Sequence, residues 1–537
     1  MNPQIELATE ALAELARRAH EKLRTRFAPT GKLDGKALTA GQLAAHAYAY
    51  LEMELEASMQ LVKWADAGGE SDARIAGAYL GEVVRSLAGG VDLGPAETVS
   101  TAELGLSRDD LEQTVLRAEV REAAEELSSG ERYLEIARAA SQGDLGTRAH
   151  GDATLEEVRR QFARFADTVV APAAQKIHQD DVLIPMSMLE QMNELGVFGL
   201  TIPEEYDGLG MSKVAMCVVT EELSRGYIGV GSLGTRAEIA AELILGGGTQ
   251  AQKKKWLPRI ASGEILPTAV FTEPNFGSDL AHLGTRAEET PEGFRVFGQK
   301  TWITHAARAD LMTLLARTDS DEPGYRGLSM FLAEKTRGGD GAEEFPDEGI
   351  TGTEIEVLGY RGMKEYELSF DGFALPPDAL LGGEAGQGFK QLMRTFESAR
   401  IQTAARGVGV AQAALDDALR YAEERQQFGA PLLALPRVAR KLGRMVARVQ
   451  AARQLAHFSA RQKDSGERCD LEAGMAKLLA TRAAWECADA NVQIHGGNGY
   501  AIEYLASRLL VDARVLSIFE GANEIQAHVV ARRLLEA

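Results

Sequence analysis

Residues 298–304 of this 537-residue chain read GQKTWIT, and they lie in a block whose neighbouring runs favour β structure. Residues 294–297 (FRVF), 310–315 (DLMTLL) and 367–370 (ELSF) are short apolar or aromatic runs separated by Gly, Asp and Pro. They predict a β domain over residues 266–382, closed by a Gly-rich loop at residues 382–388.

The sequence on both sides of this block has helical periodicity. Apolar residues recur at helical spacing between Ile5 and Ala16 and between Leu43 and Leu61. A capping box at Ser107 and Asp110 predicts a third long helix that continues through Val115 and Val120. The glycine-rich stretch around Gly146 predicts a domain boundary. We therefore expect four domains: a helical extension (1–150), a helical domain (151–265), the β domain (266–382) and a helical domain (383–537).

Composition excludes several classes of function. The formal net charge of -21 repels phosphate backbones, so nucleic acid is not expected as a partner. Three widely spaced cysteines and nine histidines without H-x-x-x-H spacing predict no metal site. No signal peptide and no long apolar run is visible, so a cytoplasmic protein without membrane spans is expected. The absence of G-x-G-x-x-G after a strand argues against a nicotinamide-binding domain.

Four segments carry the chemistry when they are considered together. They are residues 271–279 (FTEPNFGSD), 298–304 (GQKTWIT), 493–500 (QIHGGNGY) and 518–526 (IFEGANEIQ). In this order and spacing the chain resembles the acyl-CoA dehydrogenase family over residues 154–537, including residues 203–206 (PEEY) and 424–429 (ERQQFG). The resemblance implies a mainly α fold with a central β domain: an α-helical domain, a β-barrel or sandwich domain and a C-terminal four-helix bundle. The first 150 residues add an extra helical domain.

The resemblance also implies FAD as cofactor. Thr272, Trp302 and Thr304 would line the flavin, with the Thr304 hydroxyl at the ring edge that receives hydride. Ser278 matches a position that contacts both cofactor and acyl-CoA. The remaining FAD contacts would come from Arg425, Phe428, Gln493, Gly496 and Gly497. Because the loop at residues 493–497 matches one that serves a neighbouring subunit, a homo-oligomer (dimer or tetramer) is expected.

Glu520 is the expected catalytic base. Removing an α-proton from a thioester needs a base, and shielding from water makes a carboxylate more basic. Gly521 permits a tight turn that aims the side chain. Some family members carry the base at the position of Ala399 instead, which leaves Glu520 as the candidate here. Arg400 matches a residue near the acyl-CoA.

In the long N-terminal extension and residues 234–239 (GTRAEI) the chain resembles one subfamily of these dehydrogenases, and this resemblance implies a short branched dicarboxylic acyl-CoA as substrate. (2S)-Methylsuccinyl-CoA, converted to mesaconyl-CoA with electrons passed to an electron-transferring flavoprotein, is the favoured substrate. Burying its free carboxylate is costly without a partner, and Arg236 is the candidate cation. The alternative for Arg236 is a structural or surface ion pair with Glu238 or another acid.

Three other functions remain open at this stage. The first is a dehydrogenase for another short or branched acyl-CoA, and the second is an acyl-CoA oxidase, which transfers its electrons to oxygen. A non-catalytic DNA-binding flavoprotein of the same fold is the third. The negative net charge and the intact Glu520 count against DNA binding.

Overall fold

The computed structural model describes residues 2–94, 97–148 and 151–536. Its first ten α-helices are Pro3–Phe27 (α1), Gly35–Ala40 (α2), Gln42–Asp66 (α3), Glu70–Ser86 (α4), Arg108–Glu112 (α5), Ala118–Leu127 (α6), Gly130–Ser141 (α7), Ala153–Phe165 (α8), Ala171–Asp180 (α9) and Met186–Glu194 (α10). The others are Lys213–Gly226 (α11), Ile228–Gly247 (α12), Gln250–Ala261 (α13), Gly388–Glu424 (α14), Pro436–Asp464 (α15), Asp470–His495 (α16), Leu505–Val515 (α17) and Asn523–Glu536 (α18).

The strands are concentrated in the middle of the chain. They are Val91–Gly94 (β1), Glu97–Val99 (β2), Pro267–Val270 (β3), Arg286–Thr290 (β4), Gly293–Thr304 (β5), Leu311–Arg317 (β6), Leu328–Glu334 (β7), Ile350–Ile355 (β8), Glu365–Leu375 (β9), Gln426–Gln427 (β10) and Ala430–Pro431 (β11). Seven of them form one sheet in the order β3-β6-β4-β5-β9-β8, with β7 on β6. The three predicted strand runs lie in β5, β6 and β9.

The sheet encloses its own apolar core. β6 is buried along almost its whole length, which explains why its sequence is a continuous apolar run without alternation. Val296 from β5, Phe331 from β7 and Tyr366 from β9 meet in this core. The long pairing of β5 with β9 makes these two strands the centre of the β domain.

One helix prediction in the extension is wrong. The capping box at Ser107 exists, but the helix that it opens, α5, ends at Glu112. Arg117 has an extended ψ of 140°, and α6 starts only after it. The Thr114 hydroxyl donates to the carbonyl of Asp110, which is one way in which Thr competes with helix formation. The extension also contains the β1–β2 hairpin, which the helical periodicity did not predict.

The chain divides into two compact units. Unit 1 comprises Met1–Glu157 and Thr403–Ala537, and unit 2 comprises Val158–Gln402. The fold of the known family, with helical, β and helical domains, is present, and the extension forms one unit with the C-terminal helices. The proposed boundary at residue 150 lies outside the described residues.

Within unit 1, buried ion pairs attach the extension to the C-terminal helices. Helices α3, α4 and α7 pack on α15, and α3 also packs on α16 and α18. Glu82 of α4 receives Arg444 at 2.6 Å and Arg448 at 3.0 Å, while Glu54 of α3 pairs with Arg482 of α16. Burial opposes the charge of Glu82, but the two arginines prevail and lower its pKa to about 2.

Among the described residues, no helix combines the length and the apolar character needed to cross a membrane.

Candidate active site

β5 carries a bulge where the predicted flavin-binding side chains begin. Its register with β9 shifts between Lys300 and Ile303. Trp302, inside the bulge, has a φ of 59° and is 56% exposed. A left-handed conformation is strained for a bulky side chain, and such strain is concentrated at functional sites. The bulge therefore presents an open indole surface, not a core tryptophan.

Thr304, two residues further along β5, is buried and has an unexpected partner. Its hydroxyl donates to Oε2 of Glu365 at 3.0 Å, and its carbonyl accepts a hydrogen bond from the Thr268 hydroxyl at 2.6 Å. A hydroxyl that donates still has lone pairs, so Thr304 can accept a further hydrogen bond.

A buried ion pair ties the loop after β3 to the same strand. Lys300 is fully buried and donates to the Phe271 carbonyl at 2.8 Å and to Glu273 at 3.1 Å. Burial lowers the pKa of Lys300 to about 8, with Glu273 acting in the opposite direction. The Thr301 amide donates to the Thr272 carbonyl at 3.0 Å. Thr272 and Trp302 are therefore held on neighbouring backbones, whereas Ser278 lies exposed in the following loop.

Arg236 is buried on α12 of unit 2, so a surface ion pair does not describe it. Its Nη2 lies 3.5 Å from the Tyr360 hydroxyl. Glu238, the acid weighed as its partner, accepts hydrogen bonds from Thr201 and Lys213. Arg400 on α14 is also buried, with its guanidinium 5.8 Å from the centre of the Phe396 ring.

His305, which follows Thr304, is buried close to several positive charges. Burial, reinforced by three guanidinium groups that include that of Arg236, lowers the pKa of His305 to about 3. The imidazole is therefore neutral at pH 7. The effect of Arg236 on His305 also indicates that its positive charge acts at the end of β5.

Glu520 lies in unit 1, in the turn between α17 and α18. It has a φ of 54°, Gly521 has a φ of 88°, and the Glu520 side chain is 10% exposed. Nη2 of Arg406 lies 3.8 Å from Oε1 of Glu520, and the same guanidinium stands 4.7 Å from the centre of the Phe519 ring. Arg406 is fully buried, and the motif-based prediction missed it because it lies more than a hundred residues away in the chain.

The remaining predicted cofactor residues form two exposed features of unit 1. Arg425 comes directly before β10, and Phe428 lies in the tight turn between β10 and β11. Phe428 has a φ of 55° and is 92% exposed. Gln493, Gly496 and Gly497 lie where α16 ends, and all three are exposed.

The glycine loop is anchored by neighbouring aromatic rings. The His495 ring stacks on Tyr421 with centroids 3.9 Å apart. Nδ2 of Asn498 donates to the Tyr421 hydroxyl at 3.0 Å. The loop is thus fixed on the side of α14, while Gly496 and Gly497 have open space beside them.

Comparison with known proteins identifies the family. The acyl-CoA dehydrogenase N-terminal, middle and C-terminal domain models match residues 152–264, 268–373 and 386–535. A (2S)-methylsuccinyl-CoA dehydrogenase of Cereibacter sphaeroides is 56% identical over 534 residues, which are 98% of this chain and 96% of that protein. The chain belongs to the acyl-CoA dehydrogenase family.

Two solved structures each match 71% of the chain. A glutaryl-coenzyme A dehydrogenase in complex with glutaryl-CoA is 33% identical, with a TM-score of 0.67 over 71% of this chain and 94% of that chain. A structure described as an electron transferring flavoprotein of Acidaminococcus fermentans is 30% identical, with a TM-score of 0.67 over 71% of this chain and 98% of that one. The Cereibacter sphaeroides relative, in contrast, matches the extension as well.

Members of the family are FAD-dependent flavoproteins, and the residues present fit this cofactor. An open indole at a strand bulge and a buried hydroxyl beside it suit a planar ring with a polar edge. Strand β5 of this acyl-CoA dehydrogenase therefore offers two side chains, Trp302 and Thr304, that suit a flavin.

Proposed function

We propose that this acyl-CoA dehydrogenase oxidises (2S)-methylsuccinyl-CoA to mesaconyl-CoA. The observation that carries the proposal is the match to the Cereibacter sphaeroides enzyme, which includes the extension and covers 98% of the chain. The reaction removes a proton from the α-carbon and a hydride from the β-carbon, so that a C=C bond forms and FAD is reduced by two electrons.

FAD supplies the hydride acceptor when it is bound. Trp302 provides a flat surface for the ring, and Thr304 provides a hydroxyl whose orientation is set by Glu365. Thr272 and Ser278 belong to the loop that the Lys300–Glu273 pair attaches to β5. Arg425, Phe428, Gln493, Gly496 and Gly497 are proposed to hold the remainder of the cofactor.

Glu520 is proposed to take the α-proton. Its carboxylate is mostly withdrawn from solvent, and Arg406 places a positive charge 3.8 Å away. Ala399, at the alternative base position, has no proton acceptor and is buried. The general base and its partner thus come from elements of one unit.

Arg236 is proposed to bind the distal carboxylate of the substrate, and Arg400 to lie near the acyl-CoA. Burying a carboxylate without a partner costs several kcal/mol, so a pocket for a dicarboxylic acyl chain needs a cation. Arg236 is a buried cation whose charge acts on His305. A guanidinium group suits two-point recognition of a carboxylate.

An electron-transferring flavoprotein is proposed as the electron acceptor, in keeping with the structural likeness to a chain from such a system. A second copy of the chain is proposed to cover exposed apolar groups of unit 1. Phe428, Tyr500 and Ile502 are 92%, 88% and 79% exposed, and apolar groups clustered on a surface often mark an interface. A homodimer or homotetramer is expected.

Anaerobic bleaching of the bound flavin by a panel of acyl-CoAs tests the substrate. We expect methylsuccinyl-CoA to bleach it faster than succinyl-, glutaryl-, butyryl- or isobutyryl-CoA does. Bleaching by butyryl- or isobutyryl-CoA without bleaching by methylsuccinyl-CoA would overturn the substrate and leave the family assignment in place. Turnover with the flavoprotein acceptor, compared with oxygen consumption, separates a dehydrogenase from an oxidase.

Arg236→Met tests the proposed carboxylate contact. The KM for methylsuccinyl-CoA should rise by about 10- to 100-fold, because a hydrogen bond between charged groups is lost. The KM for butyryl-CoA should change much less. Arg225→Met is the matched control, since Arg225 on α11 pairs with Asp167 and Glu222 of the protein. If Arg236→Met raises both KM values equally, as Arg225→Met would, Arg236 is structural.

A further inference from the structure

The turn that carries Glu520 is conformationally demanding. Two consecutive residues, Glu520 and Gly521, have φ values of 54° and 88°. A glutamate rarely adopts this conformation unless neighbouring groups impose it. The direction of the Glu520 carboxylate therefore depends on whatever holds the backbone of this turn.

Lys477 supplies the strongest of these contacts. It lies on α16, its side chain is fully buried, and Nζ donates to the Gly521 carbonyl at 2.8 Å and to Oδ1 of Asn523 at 3.0 Å. The Gln526 amide adds two longer contacts, 3.4 Å to the Glu520 carbonyl and 3.3 Å to that of Gly521. One ammonium group thus links α16, the turn and the first residue of α18.

Stability alone does not favour a lysine in this position. A buried ammonium loses its hydration, and well-packed apolar residues often replace buried charges without loss of stability. Asn523 is also the first residue of α18, and a helix N-terminus carries partial positive charge, which disfavours a nearby cation. A lysine here is best explained by the carbonyl and amide oxygens that it holds.

We propose that Lys477 is a positioning residue for the catalytic base. It fixes the Gly521 carbonyl and the start of α18, and so keeps the Glu520 carboxylate in its productive orientation beside Arg406. Lys477 does not itself touch the substrate. The proposal rests on Glu520 being the base, as set out under the proposed function.

The test compares Lys477→Met with Arg482→Met in the FAD-loaded full-length protein. Arg482 is a matched control, because it is another buried cation on α16, five residues further along, but contacts Glu54 and the Asp92 carbonyl of the extension. Three quantities are measured: melting temperature, the dissociation constant of a non-reducible thioether analogue of the acyl-CoA, and the rate of anaerobic flavin reduction by methylsuccinyl-CoA.

Lys477→Met should slow flavin reduction by about 10- to 100-fold, because misplacing a reacting group by about 1 Å has an effect of this size. The analogue should bind with nearly unchanged affinity, and an α-deuterated substrate should show a larger isotope effect than with the unsubstituted enzyme. Arg482→Met should lower the melting temperature without changing the reduction rate of the folded protein.

Flavin reduction by Lys477→Met at the unsubstituted rate, or a loss matched by Arg482→Met, would overturn the proposal. If Lys477→Met does not fold, Lys477→Gln takes its place, since an uncharged amide can still donate to one of the oxygens. It should also slow reduction, and an unchanged rate would equally overturn the proposal. Glu520→Gln is measured in parallel: if it still reduces flavin, the base is misassigned, whereas a normal Lys477 variant with an inactive Glu520→Gln rejects only the positioning role.

Discussion

Two regions of the molecule hold a proposed functional side chain in place by different contacts: residues 300–304 of β5 in unit 2, here called the β5 platform, and the Glu520 turn in unit 1. In both, that side chain belongs to a residue of positive φ, Trp302 in the first and Glu520 in the second. Both also contain a fully buried lysine that donates to a backbone carbonyl, Lys300 to Phe271 and Lys477 to Gly521.

The difference lies in what surrounds these features. The β5 platform is flanked by a long antiparallel ladder with β9, so many backbone hydrogen bonds share the task of holding it. The Glu520 turn joins two helices through a backbone hydrogen bond from the Asn523 amide to the Ser517 carbonyl at 3.1 Å, together with side-chain contacts from Lys477 and Gln526. A single substitution should therefore disturb the base more than the flavin platform.

The largest effect is expected for Glu520→Gln, which removes the proton acceptor and retains the shape of the side chain. Flavin reduction should fall by about 10³-fold, within the range that a general base contributes. FAD content and acyl-CoA binding should persist, as measured by the flavin spectrum and by titration. If the Glu520→Gln variant still reduces flavin at the normal rate, another residue is the base, and the Glu520 turn has no catalytic side chain to hold.

Gly521→Ala tests the turn without changing its chemistry. An added Cβ would lie 2.2 Å from Nε2 of Gln526, at a φ of 88° that an alanine resists. We expect stopped-flow flavin reduction to slow by about 10-fold or more, because the carboxylate is displaced. Gly466→Ala is the control, since Gly466 has a φ of 81° but open space around it. Equal rates in the two variants would show that the turn tolerates displacement.

A smaller effect is expected for Glu365→Gln on the flavin platform. The Thr304 hydroxyl loses a charged acceptor but keeps a carbonyl oxygen within reach, and the β5–β9 ladder is intact. Flavin reduction should slow by only about 3- to 10-fold, because one charge-assisted hydrogen bond is replaced by a weaker neutral one. Glu367→Gln, an exposed change on the same strand, should have no effect. A loss of reduction rate as large as that of Gly521→Ala would contradict the idea that many backbone hydrogen bonds of the β5–β9 ladder together hold Thr304 in place.

The last prediction concerns stability, not flavin reduction, and the support that the extension gives to α18. His46 of α3 packs edge-on against His528 of α18, with ring centroids 5.9 Å apart and Glu524 and Arg532 as the neighbouring charges. Burial, followed by the charge of His528, lowers the pKa of His46 to about 4. The unfolded chain therefore binds a proton more readily than the folded one.

As the pH falls from about 6.5 to about 4, unit 1 should lose up to about 3 kcal/mol of stability through His46. Urea unfolding at pH 7 and pH 4.5 measures this loss. His46→Gln should reduce the difference between the two pH values, and the exposed His282→Gln should leave it unchanged. An identical pH dependence in all three proteins would rule out the His46–His528 contact as its cause.

Local pattern was a reliable guide where the decisive contacts are close in the chain. The strand runs of β5, β6 and β9 and the first two long helices were predicted from apolar spacing, because burial of one face imposes that spacing. The predicted continuation of the helix after Ser107 failed, since Thr114 and Arg117 break it with their own side-chain and backbone preferences.

The motifs of the sequence by themselves determined the family and FAD as cofactor, and they carry the proposal of Glu520 over Ala399 as the base, because each depends on residue types at fixed spacing. Only the tertiary structure decided which groups stand beside them: Glu365 on Thr304, Arg406 and Lys477 at the Glu520 turn, and Tyr360 near Arg236. These partners lie between 43 and 124 residues away in the chain, and no local pattern records a contact that forms only when distant helices and strands pack together.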